Sequence, residues 1–316
     1  MIRGLQKIIR TVLLLAIGVG LGIGAQSMSA YQQRLKSQEN YAKKDHRPAS
    51  EVGGITAKQY QQLAKINYHS GQSPIFQVNN GKSTLNPNAW QQDRVDYQQL
   101  DRLGRTSHSN TAFLNWQNHA NTALRTAQTS SPTAWHNNRD QLLVYNRGHL
   151  IAYSLTRGID PQTGRFDPHG NNGDQDNPRN LFTETDFTNQ AVQTLYEGKV
   201  RRAIESHHRV IYQATPIFRG NELMPRGINL QAIATDGTLN FNVYLANVEP
   251  GIVFDYQTGN SVISSAMTVP VPLDPNGDTT DDQKEQRDDL RTVGSYSRPI
   301  ARQPRHYQRI INSNIQ

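Results

Sequence analysis

None of the 316 residues of the chain is cysteine. Disulfide bonds are therefore excluded, and so are the thiolate ligands on which many structural zinc sites depend. A metal ion bound by this protein must be held by oxygen atoms or by histidine nitrogen. The sequence also lacks a helix-turn-helix, a zinc finger and a base-reading repeat, so recognition of a particular nucleotide sequence is not expected.

Acidic residues are fewer than basic residues in this sequence. The sequence has 33 Lys and Arg residues against 26 Asp and Glu residues, which gives a net charge of +7. This balance favours a polyanionic partner. The alternative is a generally basic surface protein beside an anionic cell envelope, since three of the positive charges lie at the N-terminus.

The first 30 residues have the pattern of an export segment. Arg3, Lys7 and Arg10 precede an apolar run over residues 11–25, and small residues follow it. We therefore expect residues 1–30 to be a signal peptide or a membrane anchor, preceding the folded domain as a helix. An anchor would use residues 8–25, which are marginally long enough to span a bilayer. The protein is expected to be extracellular, either secreted or anchored on the outer face of the cell membrane.

Composition divides the rest of the chain into three parts. Residues 31–73 are rich in Gln, Lys, Ser and Ala and predict a helical or disordered spacer. Residues 74–270 carry the apolar segments of a folded domain. Residues 271–316 form a basic tail, in which the part from residue 290 holds five arginines and no acidic residue. The tail could track phosphates, and a solvated terminus is the alternative.

The apolar segments of the middle part predict short strands and one longer helix. Alternating residues in the last of these segments, and a turn between the last two, favour antiparallel pairing. The helix is predicted from Asp186 or Thr188, as its cap, to about Ser206. The predicted strands are Ile75–Val78, Leu142–Tyr145, Val210–Tyr212, Ile228–Ile233 and Leu239–Leu245. This pattern predicts an α+β fold with a central antiparallel β-sheet.

Two polar groups stand out within that framework. The quartet Asn146 to His149 follows the apolar strand residues, where a histidine can reach a substrate. The helix carries Asn189, Gln193 and Glu197 at steps of four, and at about 100° per residue these side chains project from one face. A base on a strand would thus face an oxygen ligand on a helix.

These residues resemble the DNA/RNA non-specific endonucleases of the ββα-metal type, and most of all the DNA-entry and secreted nucleases of Gram-positive bacteria. The resemblance rests on Asn146-Arg147-Gly148-His149-Leu150-Ile151-Ala152, on Asn177-Pro178-Arg179-Asn180-Leu181-Phe182-Thr183, on Asn189-Gln190 and on Glu197 and Arg201, and it covers residues 97–259. It implies a ββα-metal finger as the active site. The commoner family signature begins with Asp where this chain has Asn146.

The family pattern implies a role for each of these residues. His149 would be the general base, and Asn189 would bind one divalent cation, Mg²⁺ or alternatively Mn²⁺. Glu197 would hold water molecules on that cation, and Asn180 would steer His149 or the substrate. Arg147 and Arg201 would clamp the site or the phosphate, although Arg147 could simply brace the fold.

The resemblance also implies an early strand over residues 97–105 that supplies an arginine near the scissile phosphate. Arg105 is the candidate, and Arg102 is the alternative. The long polar segment 164–176 is expected to be a functional or flexible loop. Its Asp and Asn residues also allow a separate calcium site, but they are equally typical of ordinary turns.

The resemblance implies an exported, divalent-metal-dependent, sequence-non-specific endonuclease that hydrolyses DNA, with RNA as a further candidate substrate. Two alternatives remain open at this point. The first is a non-catalytic surface receptor that binds or takes up DNA with a decayed nuclease site. The second is an exported phosphodiesterase that acts on small substrates.

Overall fold

The computed structural model describes residues 49–138 and 143–272. The chain divides into two compact units, residues 1–50 and residues 51–316, and the description below concerns the second. The predicted leader, the predicted spacer as far as residue 48 and the tail from residue 273 lie outside the described residues. No helix in the described ranges is both long and apolar enough to cross a membrane.

The described chain forms an α+β fold, as predicted. The α-helices are α1 (Ala49–Val52), α2 (Ala57–Leu63) and α3 (Thr194–Glu205), and a π-helical segment, Thr188–Gln193, runs directly into α3. The strands are β1 (Ile75–Gln77), β2 (Arg94–Asp96), β3 (Asn110–Leu114), β4 (Tyr145–His149), β5 (Leu181–Thr185), β6 (Val210–Ile217), β7 (Gly227–Ala234), β8 (Asn240–Ala246), β9 (Ile252–Phe254) and β10 (Ser261–Ile263).

Six strands form the central sheet, in the order β1-β8-β7-β6-β3-β2. Every neighbouring pair in this sheet is antiparallel. One face of the sheet packs against α3, where Val200 and Ile204 are fully buried against residues such as Tyr212 and Ala232. The burial of these apolar side chains fixes the helix on the sheet.

The ribbon β4–β5 is a separate antiparallel pair, with His149 opposite Leu181 at one end. The π-helical segment follows β5 after two residues, so the chain runs strand, strand, helix around one small space. This is the ββα finger that the resemblance implied. The π turns place one extra residue in the helix before α3 begins, a feature often found at functional sites.

Two local predictions are wrong. The polar quartet lies inside β4, because its backbone pairs with β5, whereas the prediction placed it after the strand. Residues 97–105 contain a turn and no strand, because the Asp101 side chain accepts hydrogen bonds from the backbone N–H groups of Leu103 and Arg105.

The helix begins near Asp186, as predicted. Thr188 does not cap it, since the Thr188 hydroxyl donates to the carbonyls of residues 246 and 248.

The predicted spacer boundary at residue 73 also needs correction. Helix α2 has a full capping box formed by Thr56 and Gln59, which defines its start. Leu63 is buried in the core of the domain, and the Tyr60 hydroxyl accepts a hydrogen bond from the backbone N–H of Phe218. Residues from 51 onward are therefore part of the folded body.

Candidate active site

His149 is the last residue of β4, and its ring is partly buried. Its Nε2 lies 3.1 Å from the backbone carbonyl oxygen of Gln175. A carbonyl oxygen can only accept, so Nε2 carries the hydrogen and donates it. In the neutral ring this leaves Nδ1 as the atom with a free lone pair. The structure therefore orients Nδ1 as the proton acceptor.

The surroundings of His149 keep its ring neutral. Burial lowers the pKa of His149, and the positive charge of Arg125 lowers it further, to about 4. The carbonyl contacts of Gln175 and Asp174 and the charge of Asp176 oppose this shift but do not reverse it. A histidine with this pKa is a base across the neutral range.

The segment that carries the Gln175 carbonyl is held on two sides. The Asp176 carboxylate accepts hydrogen bonds from the backbone N–H groups of Thr129 and Ser130 and from the Thr129 hydroxyl. On the other side, the buried Asp174 carboxylate accepts from the side-chain amide of Asn177. Asp174 and Asp176 therefore hold the backbone that presents the Gln175 carbonyl to His149.

Asn180 is fully buried and acts on the backbone next to His149. Its amide oxygen accepts from the N–H of Ile151, and its amide nitrogen donates to the Ile151 carbonyl and to Asp174. Its own carbonyl accepts from the N–H of Leu150. Asn180 thus joins the turn after His149 to the loop that holds the ring, which is a positioning role.

Arg147 points to the loop rather than to the helix. Its Nε donates to the carbonyl of Ser130 at 2.6 Å, and its guanidinium lies 4.1 Å above the ring of Trp135. The structure supports the bracing role for this side chain. Asn146, on the opposite face of β4, donates to the carboxylate of Asp186.

Gln193 links the strand to the helix. Its amide nitrogen donates to the backbone carbonyl of His149 at 2.8 Å and to Oε1 of Glu197 at 2.9 Å. The polar stripe included Gln193, but the sequence assigned no role to it. The contact fixes Glu197 relative to His149, so the two residues belong to one hydrogen-bonded unit.

Glu197 is partly buried on α3. Burial raises the pKa of Glu197, whereas the hydrogen bond from Gln193 and the charges of Arg201 and Arg125 lower it. Arg201 also donates to the hydroxyl of Ser154 at 3.3 Å. Glu197 and Arg201 are thus brought together, as the motif predicted.

Glu184 is a buried acid that the motif did not reveal. It lies opposite Asn146 in the ribbon and is fully buried. Within the described part of the chain, neither of its carboxyl oxygens has a hydrogen-bond partner. Burial raises the pKa of Glu184 well above its usual range, and the charges of Glu197 and Asp186 raise it further. Glu184 could be identified only from the structure, which shows how the residues of β4 pair with those of β5.

Gly148 has no room for a side chain, because a Cβ atom there would overlap with the carboxyl group of Glu184. We expect Gly148→Ala to lower the free energy of unfolding by about 1 to 3 kcal/mol, the usual cost of overpacking. Urea unfolding followed by circular dichroism measures this change. Gly198→Ala in α3 is the control and should be neutral or stabilising, because the nearest atom is the flexible end of Arg202. Equal stability of Gly148→Ala and the wild type would contradict the packing described here.

Asn189 lies on the π-helical segment and is partly exposed. Among the described residues, its carboxamide has no hydrogen-bond partner. No group of three or more His, Cys, Asp or Glu side chains in that part of the chain could hold a metal ion. A free amide oxygen near a glutamate fits a cation that keeps most of its water ligands, as Mg²⁺ does.

The substrate-binding role of Arg105 stays a prediction, and its side chain has protein partners. Its Nε donates to Asp101, and its Nη1 donates to the carbonyls of Gly220 and Glu222. Arg125 is a further arginine that the structure brings to the site, since its charge acts on both His149 and Glu197.

Arg125 is exposed, and its guanidinium lies 4.9 Å above the ring of Tyr153. It sits in the long loop between β3 and β4, where no periodic pattern distinguishes one arginine from another. Only its proximity to His149 in the folded chain identifies it.

The arrangement defines a class of protein. A histidine at the end of a two-strand ribbon, followed by a helix that carries an asparagine and a glutamate, is the ββα-metal site of a phosphodiester-cleaving nuclease. The profile of the DNA/RNA non-specific endonuclease family matches residues 59–272, which is more than half of the chain. The chain belongs to this family and is a DNA/RNA non-specific endonuclease. The match extends beyond residues 97–259 at both ends.

Two crystal structures of NucA from Streptococcus agalactiae are similar to this chain. The magnesium-bound form is 28% identical, with a TM-score of 0.53 over 67% of this chain and 99% of NucA. The form without metal is 28% identical, with a TM-score of 0.51 over 66% of this chain and 98% of NucA. The two comparisons agree with the fold and with the class of enzyme.

Proposed function

We propose that the protein is an exported, divalent-metal-dependent endonuclease that hydrolyses DNA and RNA without sequence specificity. The observation that carries the proposal is the orientation of His149, whose Nε2 donates to the Gln175 carbonyl, so that in the neutral ring Nδ1 is the unprotonated nitrogen. A neutral imidazole at this position can take a proton from an attacking water molecule.

The residues of the helix support the metal requirement. Asn189 would hold the cation through its amide oxygen, and Glu197, fixed by Gln193, would orient water molecules beside it. A divalent cation bound there supplies positive charge for the developing negative charge of the transition state. The magnesium-bound form of NucA from Streptococcus agalactiae supports Mg²⁺ as the ion, and Mn²⁺ would fit the same oxygen donors.

Arginines on two elements would bind the substrate backbone. Arg125 approaches His149 from the loop, and Arg201 approaches Glu197 from α3. Guanidinium groups bind phosphate oxygens with directed hydrogen bonds. Because phosphates are the same at every nucleotide, contacts of this kind support cleavage at many sequences.

The proposal is tested with plasmid DNA and a long RNA, each incubated with purified protein and Mg²⁺, with and without a chelator. Internal cleavage that the chelator abolishes and Mg²⁺ restores is the expected result. Cleavage that continues in excess chelator would refute the metal requirement. Binding without cleavage would indicate a receptor, and hydrolysis of small diesters alone would indicate a different phosphodiesterase.

Export rests on the N-terminal pattern of Arg3, Lys7 and Arg10 before an apolar run. We propose that residues 1–30 direct the protein out of the cell. The segment is then either cleaved off or kept as a membrane anchor. Mass spectrometry of the N-terminus from culture medium and from washed membranes separates these two outcomes. Recovery of the full-length chain from the cytosol alone would contradict export.

The pH dependence of cleavage should separate His149 from Glu197. His149, with its pKa lowered to about 4, stays neutral from about pH 8 down to about pH 5, so its protonation should cost little activity there. Burial raises the pKa of Glu197, so as the pH falls Glu197 takes up a proton before His149 does. The Glu197→Gln enzyme should therefore be slower but should have a flat profile of kcat/KM over this range. An acidic limb near pH 6.5 in Glu197→Gln would show that the His149 pKa is not lowered.

A further inference from the structure

An exposed tryptophan lies at the far end of α3, away from the nuclease site. Trp116 is 55% exposed and stands in the short helix Trp116–Asn118 that follows β3. Its ring centroid lies 5.8 Å from that of His207, just beyond the C-terminus of α3. Exposure on this scale is unusual for a side chain that gains so much from burial.

His207 is held in an unusual backbone conformation. Its φ angle is 64°, in the left-handed region that favours glycine. Its N–H donates to the carbonyl of Ile204, and the N–H of His208 donates to that of Ala203, which makes a Schellman motif after α3. A histidine at this position costs stability relative to glycine, and strained residues of this kind cluster at functional sites. The strained backbone places the imidazole against Trp116.

Two arginines lie near the two rings. Arg157 donates to the carbonyl of Gln117, and the exposed Arg209 lies above the ring of Trp90, next to the strand end that precedes Trp116.

Two acidic side chains lie in the same region. Glu205 is 3.3 Å from the ring of His119, and Asp93 accepts a hydrogen bond from the side chain of Asn115 and is also acted on by the charge of Arg209.

One face of α3 connects this end of the helix to the nuclease site. Glu197, Arg201 and Glu205 are spaced four residues apart, so their side chains project from the same face. Ser154, whose hydroxyl accepts from Arg201, and Tyr153, which lies under Arg125, are buried beside this face. A strand that is bound at His149 and follows this face of the helix would reach Trp116. From Glu197 to Glu205 the helix advances eight residues, or about 12 Å, which corresponds to roughly four stacked nucleotides.

We propose that Trp116 and His207 form a remote subsite that stacks an unpaired base of the substrate, about four nucleotides from the hydrolysed bond. Aromatic rings bind single-stranded nucleic acid through the face of any base, so this contact adds affinity without sequence preference. The basic residues beside the rings attract the flanking phosphates. The subsite extends the established nuclease activity and takes no part in the chemical step.

The test uses single-stranded oligonucleotides with one ordinary phosphodiester in an otherwise phosphorothioate strand. The strand is extended by one to eight nucleotides on either the 5′ or the 3′ side. For the wild type, kcat/KM should rise about tenfold when the extension on one side reaches about four nucleotides. Trp116→Ala should abolish that step and leave the rates on shorter strands unchanged. Val262→Ala removes an equally exposed apolar side chain from β10 and should keep the step.

Two further measurements distinguish stacking from other roles. An abasic nucleotide at the position of the step should lower the wild-type rate and should have no additional effect in Trp116→Ala. His207→Gly should melt at a higher temperature than the wild type and yet lose part of the step, because glycine relieves the backbone and removes the ring. Identical length dependence in Trp116→Ala and the wild type, or an equal loss of rate on blunt duplexes whose ends are closed by G·C pairs, would overturn the proposal. In both cases the wild-type protein would still cleave nucleic acid, so the subsite proposal can be rejected without rejecting the proposed nuclease function.

Discussion

Replacing His149 with alanine should lower the rate of plasmid cleavage by about 10²- to 10⁴-fold, the range that a positioned general base contributes. The ring offers the lone pair of Nδ1 at the end of β4, because its Nε2 is bound to the Gln175 carbonyl. The rate of conversion of supercoiled plasmid to open circles, measured under single-turnover conditions, gives the change in the chemical step.

The control for this variant is His169→Ala. His169 is exposed in the loop before Gln175, and no functional role is assigned to it. It should cut plasmid at the wild-type rate. Both variants should bind a non-hydrolysable duplex as tightly as the wild type, since the base contributes to the transition state rather than to the ground state. Cleavage by His149→Ala at more than a tenth of the wild-type rate would show that another group accepts the proton.

Asn189→Ala should have an effect of similar size through the metal ion. A bound dication supplies several kcal/mol of transition-state stabilisation, and each 1.4 kcal/mol is about tenfold in rate, so a loss of about a thousandfold is expected. The side chain lies on the π-helical segment with no protein partner among the described residues, so its removal should not unfold the domain. The cleavage rate measured as a function of Mg²⁺ concentration gives the loss of activity, and calorimetric titration with Mn²⁺ gives the loss of metal affinity.

The matched variant is Asn189→Asp, which keeps an oxygen donor and adds a negative charge. It should bind the ion more tightly than the wild type and should retain much more activity than Asn189→Ala. Unchanged Mn²⁺ affinity in Asn189→Ala would place the ion elsewhere. The melting temperatures of both variants, measured in chelator, separate a loss of ligand from a loss of fold.

Four strands of the central sheet, β1, β6, β7 and β8, were predictable from their apolar segments, whereas the short strands β2 and β3 were not predicted. Asn240 to Leu245 shows period-two alternation, and the Asp236-Gly237 turn brings it beside β7. The helix was predictable in extent, since its apolar side faces the sheet. Its π turns were not, because they depend on how Thr188 anchors to the carbonyls of residues 246 and 248. Contacts so distant in sequence leave no local pattern.

The site was predictable where it depends on residue type and spacing. His149, Asn180 and Glu197 came from the motif, and the structure brings them into one hydrogen-bonded region. The strand predicted over residues 97–105 was an error, because the family resemblance suggested it and no local alternation did. The turn around Asp101 and Gly104 would have argued against a strand there.

Other parts of the site had no sequence signal. The partner of Nε2 is a backbone carbonyl, and any residue at position 175 provides one. Glu184 could be recognised only from the pairing of β5 with Asn146. Arg125 belongs to a loop whose path is set by hydrogen bonds from Thr129 and Ser130 to Asp176. Such features become visible only when the chain is folded.

The π-helical segment before α3 behaves as a one-residue insertion in an otherwise continuous helix. Eight residues of a regular α-helix turn through about 800°, which would leave the side chains of Asn189 and Glu197 about 80° apart. The π turns between them hold more residues per turn, so they absorb the extra residue and reduce this angle. The wide turns therefore bring the asparagine round toward the side of the helix that the glutamate occupies, which a regular helix of the same sequence would not do.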